Sequence, residues 1–274
     1  MNETITRTLS GIVYVILLLI ATSYSEHSFF LLFGFFMIIT IYEFCQLIQL
    51  NKILPIILGI IGFTFGTYYQ TNKTNDILLL IVSIFVSIKC LLLLFDTKKE
   101  KFDTLSKYIY LIGYIIIPFI IITKIPHGIR GYNPKIIISI FILIWTNDTF
   151  AYIIGKSIGK HKLIEKISPK KTIEGFIGGI IFSILAGFLI SKFYFNPTIN
   201  YYEKSIFIWT MSAFIISVFS TLGDLIESKF KRIAGVKDSG KIMPGHGGML
   251  DRLDSIIFVA PFLFLFYKIL NYVS

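Results

Sequence analysis

Four acidic residues in the C-terminal part of the chain have a spacing that suits metal chemistry. Asp224 and Glu227 lie three residues apart, and Asp251 and Asp254 repeat that spacing. Because residues three apart on a helix share a face, each pair can present two carboxylates in one direction. Carboxylate oxygens are ligands that Mg²⁺ prefers. The spacing therefore predicts a site for one or two divalent ions.

The segment between the two acidic pairs is rich in cationic side chains and glycine. Its cationic and imidazole residues are Lys229, Lys231, Arg232, Lys237, Lys241 and His246. Gly247 and Gly248 follow directly. Lys and Arg bind phosphate oxygens, and glycine lets backbone N–H groups approach them closely. Together with the acids, this segment predicts chemistry on phosphate groups. His246 alone could equally be an ordinary loop histidine.

A second polar stretch lies upstream, where Ser168-Pro169-Lys170-Lys171-Thr172 precedes an apolar run. Thr172 can cap the helix that this run predicts, and the positive end of that helix would form an anion site with the two lysines. These lysines could instead bind anionic lipid headgroups.

Asp148 interrupts another apolar run further upstream. It is either a fifth carboxylate of the site or a buried polar residue that pairs two helices. We favour the first interpretation because Asp148 lies near the same end of its predicted helix as the lysine-rich segment that follows.

The elements that must position these residues are membrane helices. The chain has 274 residues, of which 55% are hydrophobic and 15% charged, and its mean hydropathy is +0.77. A soluble globule of this size needs more polar surface. Cys45 and Cys90 both lie in apolar runs, which argues against a disulfide framework. The net charge of +10 comes largely from lysines in short loops beside apolar segments, so we predict contact with anionic lipids and no nucleic-acid partner.

About 20 apolar residues cross the hydrocarbon layer as a helix, and this rule predicts an all-α, polytopic integral membrane protein with about nine transmembrane helices. The predicted spans are residues 9–25, 28–49, 53–70, 76–95, 106–124, 135–155, 173–195, 204–226 and 252–272. We expect one integrated membrane unit in which residues 1–134 form an accessory scaffold and residues 135–274 form the catalytic region. The sequence leaves open whether the scaffold also forms a homodimer interface.

Two ionisable residues lie inside apolar runs of the N-terminal region, namely Glu43 and Lys89. Ionisable groups within a membrane are costly and suggest function by default. Here Lys89 can snorkel to the end of its span, and Glu43 can cap a contact between helices. We therefore place neither in the predicted site.

The distribution of the 26 Lys and Arg residues predicts the orientation. Most of them fall on the side of the membrane that also holds the N terminus. By the positive-inside rule that side is the cytoplasm. Loops 97–105, 156–171 and 228–251, and with them the predicted site, are then cytoplasmic.

The polar segments also resemble a known signature. The matching pieces are Ser228-x-Phe230-Lys231-Arg232, Lys237-Asp238-x-Gly240, Pro244-x-His246-Gly247-Gly248 and Asp251-Arg252-x-Asp254. They are similar to the signature of the phosphatidate cytidylyltransferase family, also called CDP-diacylglycerol synthases. With the stretch around Asp148 and Lys170, the resemblance covers roughly residues 145–255.

The resemblance implies transfer of the cytidylyl group of CTP to phosphatidate in phospholipid biosynthesis, with pyrophosphate released at a bacterial inner membrane. It implies Mg²⁺ as cofactor, and a monovalent cation is left open. The implied catalytic residues are Asp224, Lys231, Arg232, Lys237, His246, Asp251 and Asp254. Of these, Asp224, Asp251 and Asp254 would ligate the metal, with Asp148 and Glu227 as additional groups. The implied substrate-binding residues are Ser168, Lys170, Lys171, Thr172, Ser228, Lys229, Gly247, Gly248 and Arg252.

Two other classes of function stay open at this stage. A CTP-dependent polyprenol or phytol kinase would transfer the γ-phosphoryl group to an alcohol and would need a base for the hydroxyl. A transporter would place its charges near the middle of the bilayer and often shows an inverted repeat. The acids here cluster at the ends of predicted spans and no internal repeat is evident, which favours the enzyme.

Overall fold

The computed structural model describes residues 3–69, 73–96, 102–128, 131–195, 202–245 and 247–271. His246, one of the predicted site residues, lies outside these described residues, as do residues 97–101 of the predicted loop 97–105. The described chain is built almost entirely from helices, with two short hairpins between them.

The described residues of the N-terminal region form six α-helical segments. They are α1 (Glu3–Tyr24), α2 (Glu26–Leu47), α3 (Ile53–Thr64), α4 (Lys73–Phe95), α5 (Thr104–Tyr110) and α6 (Ile117–Lys124). A π-helical turn, Phe65–Tyr69, extends α3, and another, Leu111–Ile116, joins α5 to α6 in one rod. Polar residues cap the starts of α2 and α5. Ser25 caps α2 by accepting from the backbone N–H of Ser28 at 3.0 Å, and Asp103 caps α5 in the same way.

The described part of the C-terminal region contains four α-helices of 17 to 32 residues. They are α7 (Pro134–Ile158), α8 (Ile173–Leu189), α9 (Tyr202–Ile233) and α10 (Leu250–Ile269). A π-helical segment, Ile190–Phe195, extends α8. Thr172 caps α8 as predicted, since its hydroxyl accepts from the N–H of Gly175 at 3.1 Å.

Two antiparallel hairpins interrupt the helices. Strand β1 (His127–Gly128) pairs with β2 (Gly131–Tyr132), and β3 (Lys162–Ile164) pairs with β4 (Ser168–Thr172). The β3–β4 hairpin connects α7 to α8. It carries the predicted substrate lysines to the N-terminus of α8.

The predicted fold class, an all-α polytopic membrane protein, is confirmed. Seven helices in the described residues are long and apolar enough to cross a membrane, namely Thr6–Tyr24, Glu26–Leu47, Thr74–Phe95, Thr104–Lys124, Pro134–Ile158, Ile173–Phe195 and Glu203–Ile233. The apolar helix Ile53–Tyr68 is shorter, and α10 begins with three charged residues before its apolar part. Each predicted span thus coincides with a helix, while the number of nine crossings stays a prediction. Many large apolar side chains face outward, such as Leu31 at 71% exposure and Ile20 at 63%, which suits a lipid surrounding.

Helix α10 lies at the centre of the helix assembly. Its residues from Leu253 to Pro261 are all buried, and it packs mainly against α9 and α6. Gly223 on α9 lies directly against the backbone of α10. A β-carbon at this position would lie 2.7 Å from the backbone oxygen of Asp254. The glycine therefore lets the acidic segment of α9 lie directly against the acidic start of α10.

Candidate active site

A cavity of about 550 Å³ lies where the polar ends of α7, α8, α9 and α10 meet α1 and the β3–β4 hairpin. It brings together charged residues from both polar stretches. The predicted site residues that line it are Asp148, Lys170, Lys171, Thr172, Asp224, Asp251, Arg252 and Asp254. Residues from distant parts of the chain thus line one cavity, while their roles in a site stay a prediction.

Three of the carboxylates in this cavity are neighbours. Asp148, Asp224 and Asp254 are close enough for their negative charges to act on one another. Asp254 is 8% exposed, and Asp224 forms an ion pair with Lys171 at 2.9 Å. Like charges in a poorly solvated space are unfavourable unless cations neutralise them. The cluster is therefore suited to a cationic ligand.

The carboxylates supply the hard oxygen donors that Mg²⁺ takes. Within the described ranges, no three His, Cys, Asp or Glu side chains converge tightly enough to form a metal site as they stand. The donor chemistry fits the ion, and the assignment of Asp148, Asp224, Glu227, Asp251 and Asp254 as metal ligands stays a prediction.

Asp251 is held by several donors at the edge of the cavity. Its Oδ1 accepts from Lys231 Nζ at 2.6 Å. Its Oδ2 accepts from the N–H and the hydroxyl of Ser239, at 2.9 and 2.8 Å, and from the N–H of Gly248 at 2.7 Å. Asp251 therefore ties the loop between α9 and α10 to the first turn of α10.

Lys231 and Glu227 complete this arrangement away from the cavity. Lys231 Nζ lies 2.5 Å from Glu227 Oε2, one helical turn earlier on α9. Glu227 is 1% exposed and does not line the cavity. Of the acidic pair on α9, only Asp224 thus faces the cavity, while Glu227 neutralises the lysine that holds Asp251.

Three further predicted residues at the end of α9 make structural contacts. Ser228 donates to Asp224 Oδ1 at 3.3 Å. Lys229 donates to the backbone oxygen of Asp96 at 2.5 Å. Arg232 donates to the backbone oxygens of Ile167 and Val236, at 3.4 and 3.2 Å. The bonds of Lys229 and Arg232 join the end of α9 to neighbouring segments, whereas the bond of Ser228 stays within α9.

Phe230, within the same signature, anchors the end of α9 in the core. It is 1% exposed and packs on the rings of Phe44 and Tyr114 at centroid separations of 5.1 and 5.6 Å. The signature therefore contains residues that place α9 as well as residues that face the cavity.

The remaining predicted residues lie elsewhere. Lys237 lines a second cavity, of about 750 Å³, on the other side of the α9–α10 loop. Gly247 has a φ of +88°, which favours glycine, and a β-carbon there would lie 2.7 Å from Asp251 Oδ2. Ser168 begins β4 and is not among the residues that line the first cavity.

Some residues that line or support the site were not predicted. Gly11, Tyr14 and Val15 of α1 line the cavity, and no motif in the sequence marked them. Asn147 supports Asp148, because its side-chain amide donates to Asp148 Oδ1 at 3.3 Å and to Ser220 Oγ at 3.1 Å. A polar residue next to Asp148 inside an apolar run was the available signal.

Comparison with known proteins gives a result that is consistent with the signature in the polar segments. Residues 5–270 match the model of the Cytidylyltransferase family. A phosphatidate cytidylyltransferase of Staphylococcus haemolyticus is 47% identical over 137 residues, which is 50% of each chain. Proteins of the same name from Staphylococcus epidermidis and Staphylococcus aureus are 48% identical over 134 residues, or 49% of each chain. The chain thus spans about half the length of the curated relatives it matches. Because the family match extends over nearly all its residues, the chain belongs to the cytidylyltransferase family.

Proposed function

We propose that this membrane protein transfers the cytidylyl group of CTP to phosphatidate, giving CDP-diacylglycerol and pyrophosphate. The observation that carries the proposal is the ion pair between Lys171 and Asp224, at 2.9 Å. It joins the lysine-bearing hairpin to the acidic end of α9 within a single cavity. Phosphate-binding cations and metal-binding carboxylates are what a reaction between two polyanions requires. The names of the Staphylococcus relatives support this choice of substrates.

The cations have separate tasks in this proposal. Lys170 and Lys171 on β4, together with the N-terminus of α8, bind phosphates of CTP. Arg252, on the first turn of α10, faces the same cavity and binds the lipid phosphate or the leaving pyrophosphate. These contacts hold the two anions against their mutual repulsion.

The bond changes need no general base. A phosphomonoester is largely dianionic near neutral pH, so the lipid phosphate oxygen is already a nucleophile. This oxygen forms a bond to the α-phosphorus of CTP, and the bond from that phosphorus to the bridging oxygen of the β-phosphate breaks. The electron pair leaves with pyrophosphate. Lysine and arginine stabilise the charge that develops on the leaving group.

We assign Mg²⁺ binding to Asp148, Asp224 and Asp254, which share the cavity. When bound, the ion would neutralise phosphate charge and polarise the phosphoryl oxygen. Asp251 lines the same cavity, but the four hydrogen bonds that it accepts suit it better to holding the loop. This proposal leaves open whether a second divalent ion or a monovalent cation takes part.

An apolar groove beside the cavity supports a lipid as the acceptor. This groove, of about 420 Å³, lies between α1, α2 and the α9–α10 loop, and apolar side chains such as Leu9, Val13 and Phe36 line it. Tyr14 and Met243 line both the groove and the cavity. An acyl chain in the groove would therefore leave the lipid phosphate near the acids and cations. We place the site at the cytoplasmic face of a bacterial inner membrane, where CTP is available.

Position-specific labelling of CTP tests the proposal. Purified protein in detergent receives phosphatidate, Mg²⁺ and CTP that carries label at either the α- or the γ-phosphorus. We expect the α label to enter the lipid and the γ label to leave in pyrophosphate, and EDTA to stop both. Entry of the γ label into a lipid alcohol would identify a kinase. No transfer of either label to any lipid would contradict enzymatic transfer altogether.

A further inference from the structure

Glu43 is a buried acid of α2 that the proposed reaction does not use. It lies far from the signature in sequence, and it is 1% exposed. A carboxylate within a membrane helix is costly unless its environment compensates for the burial. Its partners therefore indicate why the chain carries an acid at this position.

The partners of Glu43 are backbone N–H groups at the start of α10. Oε1 accepts from the N–H of Met249 at 3.0 Å, and Oε2 accepts from the N–H of Leu250 at 2.8 Å. The first N–H groups of a helix have no acceptor within the helix. Met249, at the N-cap position of α10, makes no side-chain capping bond. Glu43 thus caps α10 from another helix, where the helix dipole favours a negative charge.

Glu43 and Asp251 together hold the loop that precedes α10. Asp251 accepts from the N–H of Gly248, so the two carboxylates bind the N–H groups of three consecutive residues. Ser239 Oγ donates to Asp251 at 2.8 Å and lies 3.4 Å from Glu43 Oε2. The loop is therefore clamped between one acid on α2 and one on α10.

Two glycines of the loop make room for the Glu43 carboxylate. A β-carbon on Gly248 would lie 2.6 Å from Glu43 Oε2, and a β-carbon on Gly240 would overlap Oε1. These glycines, which belong to the signature, thus fit the carboxylate of α2. The close fit indicates a specific contact between α2 and the α9–α10 loop.

We infer that Glu43 is a positioning residue for cytidylyl transfer: it fixes the start of α10, the helix that carries Asp251 and Asp254. This inference rests on the proposed function. Glu43 is not among the residues that line the first cavity, which holds Asp148, Asp224 and Asp254 and is called the acidic cavity below. It therefore acts on the reaction through α10. The substrate lysines belong to a different element, the β3–β4 hairpin, and do not depend on this contact.

The test replaces Glu43 with glutamine. An amide keeps the volume, but its NH₂ group would face one of the two backbone N–H donors. We expect Glu43→Gln to lower kcat about 10- to 100-fold, as displaced supporting groups do. The KM for CTP should change less than kcat does, because Lys170 and Lys171 stay in place. Hydrogen–deuterium exchange should rise in peptides that contain Met249 and Leu250, without a general rise elsewhere.

Glu26→Gln is the matched control. It makes the same change at the opposite end of α2, where Glu26 contacts His127 at 3.0 Å. We expect it to leave kcat and the exchange of the α10 start unchanged. A general increase in exchange in Glu43→Gln that accompanies the loss of kcat would reduce Glu43 to a stability role and overturn the inference.

Gly240→Ala provides an independent route to the same contact. Its β-carbon would displace the Glu43 carboxylate from a loop position outside the membrane helices. It should lower kcat and raise exchange at the α10 start even if Glu43→Gln is not recovered as folded protein. Normal kcat in Gly240→Ala would contradict the inference. If the unmodified protein transfers no cytidylyl group, the proposed function fails, whereas exchange at the α10 start still decides whether Glu43 holds the loop.

Discussion

Asp254 is a buried carboxylate whose surroundings include two other acids. Its Oδ1 accepts a hydrogen bond from the N–H of the next residue in the sequence, Ser255, at 2.8 Å. Asp224 and Asp148 add negative charge nearby. The repulsion between these buried charges does not stabilise the fold. We therefore attribute the cluster to ligand binding.

The first prediction follows from this cluster. Asp254→Asn and Asp224→Asn keep the side-chain shape and remove one negative charge each. Turnover should fall by about two or more orders of magnitude, while folded protein is still recovered from the membrane. The rate of CDP-diacylglycerol formation measures the effect. Asp103→Asn is the control, because asparagine also caps a helix well and Asp103 caps α5. Near-normal turnover in Asp254→Asn would remove that residue from the site.

The second prediction concerns the hairpin lysine that pairs with Asp224. Lys171→Ala should raise the KM for CTP by roughly tenfold, in line with loss of a charge-assisted phosphate contact. The measurement uses neutral micelles in which phosphatidate is the only anionic lipid. Lys162→Ala changes an exposed lysine of the same hairpin and should have little effect. A defect of Lys171→Ala that appears only in anionic bilayers would support headgroup binding instead.

At the residue scale, spacing predicted some partners and not others. Asp251 and Asp254 both line the cavity as their spacing predicted. On α9, the same spacing placed only Asp224 in the cavity, and Glu227 pairs with Lys231. Residues three apart differ by about 60° around the helix, so the spacing alone does not decide whether both face one cavity. The contacts of Glu43 join residues more than 200 positions apart. No local pattern could predict such a contact.

At the element scale, the close approach of α9 and α10 determines where the acids lie. Gly223 permits this approach, since a β-carbon there would meet the backbone oxygen of Asp254 at 2.7 Å and Phe258 Cβ at 2.8 Å. Neither neighbour is the end of a flexible side chain. One of the helices would have to move to accept a larger residue.

The third prediction is that Gly223→Ala separates these helices. Overpacking of this kind costs about 1–3 kcal/mol, so the thermal midpoint in detergent should fall and turnover should fall with it. Gly62→Ala is a suitable control, because a β-carbon at that position would make only an ordinary contact, 3.7 Å from Ile116. Unchanged stability and turnover in Gly223→Ala would show that α9 and α10 tolerate a wider separation.

The sequence predicted the helices better than it predicted the hairpin. Long apolar runs predict membrane helices directly, and the threonine cap of α8 was expected from Thr172. The β3–β4 hairpin lacks alternating apolar residues, since β4 is Ser168-Pro169-Lys170-Lys171-Thr172. The pairing of β4 with β3 and the hydrogen bond from Arg232 to the backbone oxygen of Ile167 hold the hairpin in place. Such support comes from tertiary structure and leaves no periodic signal.

At the scale of the whole molecule, the two ends of the helix assembly differ in chemistry. One end carries the acidic cavity and the lysine-bearing hairpin. The other carries Asp76, which pairs with Lys124 at 3.1 Å and with Lys268 at 2.8 Å and so ties α4, α6 and α10 together. Which end faces the cytoplasm stays a prediction of the positive-inside rule.

The fourth prediction tests this orientation. In a background without Cys45 and Cys90, which are free and buried, single cysteines replace Lys162 on the hairpin, Lys241 in the α9–α10 loop, or Lys204 at the opposite end of α9. In intact cells, an impermeant thiol reagent should label the cysteine at position 204 and spare those at 162 and 241. All three should react after the cells are opened, which controls for accessibility. Because Lys204 and Lys241 flank the same helix, labelling of position 241 but not 204 in intact cells would reverse the orientation and place the acidic cavity outside. A site there would have no access to cytoplasmic CTP, so this single result would also contradict the proposed reaction.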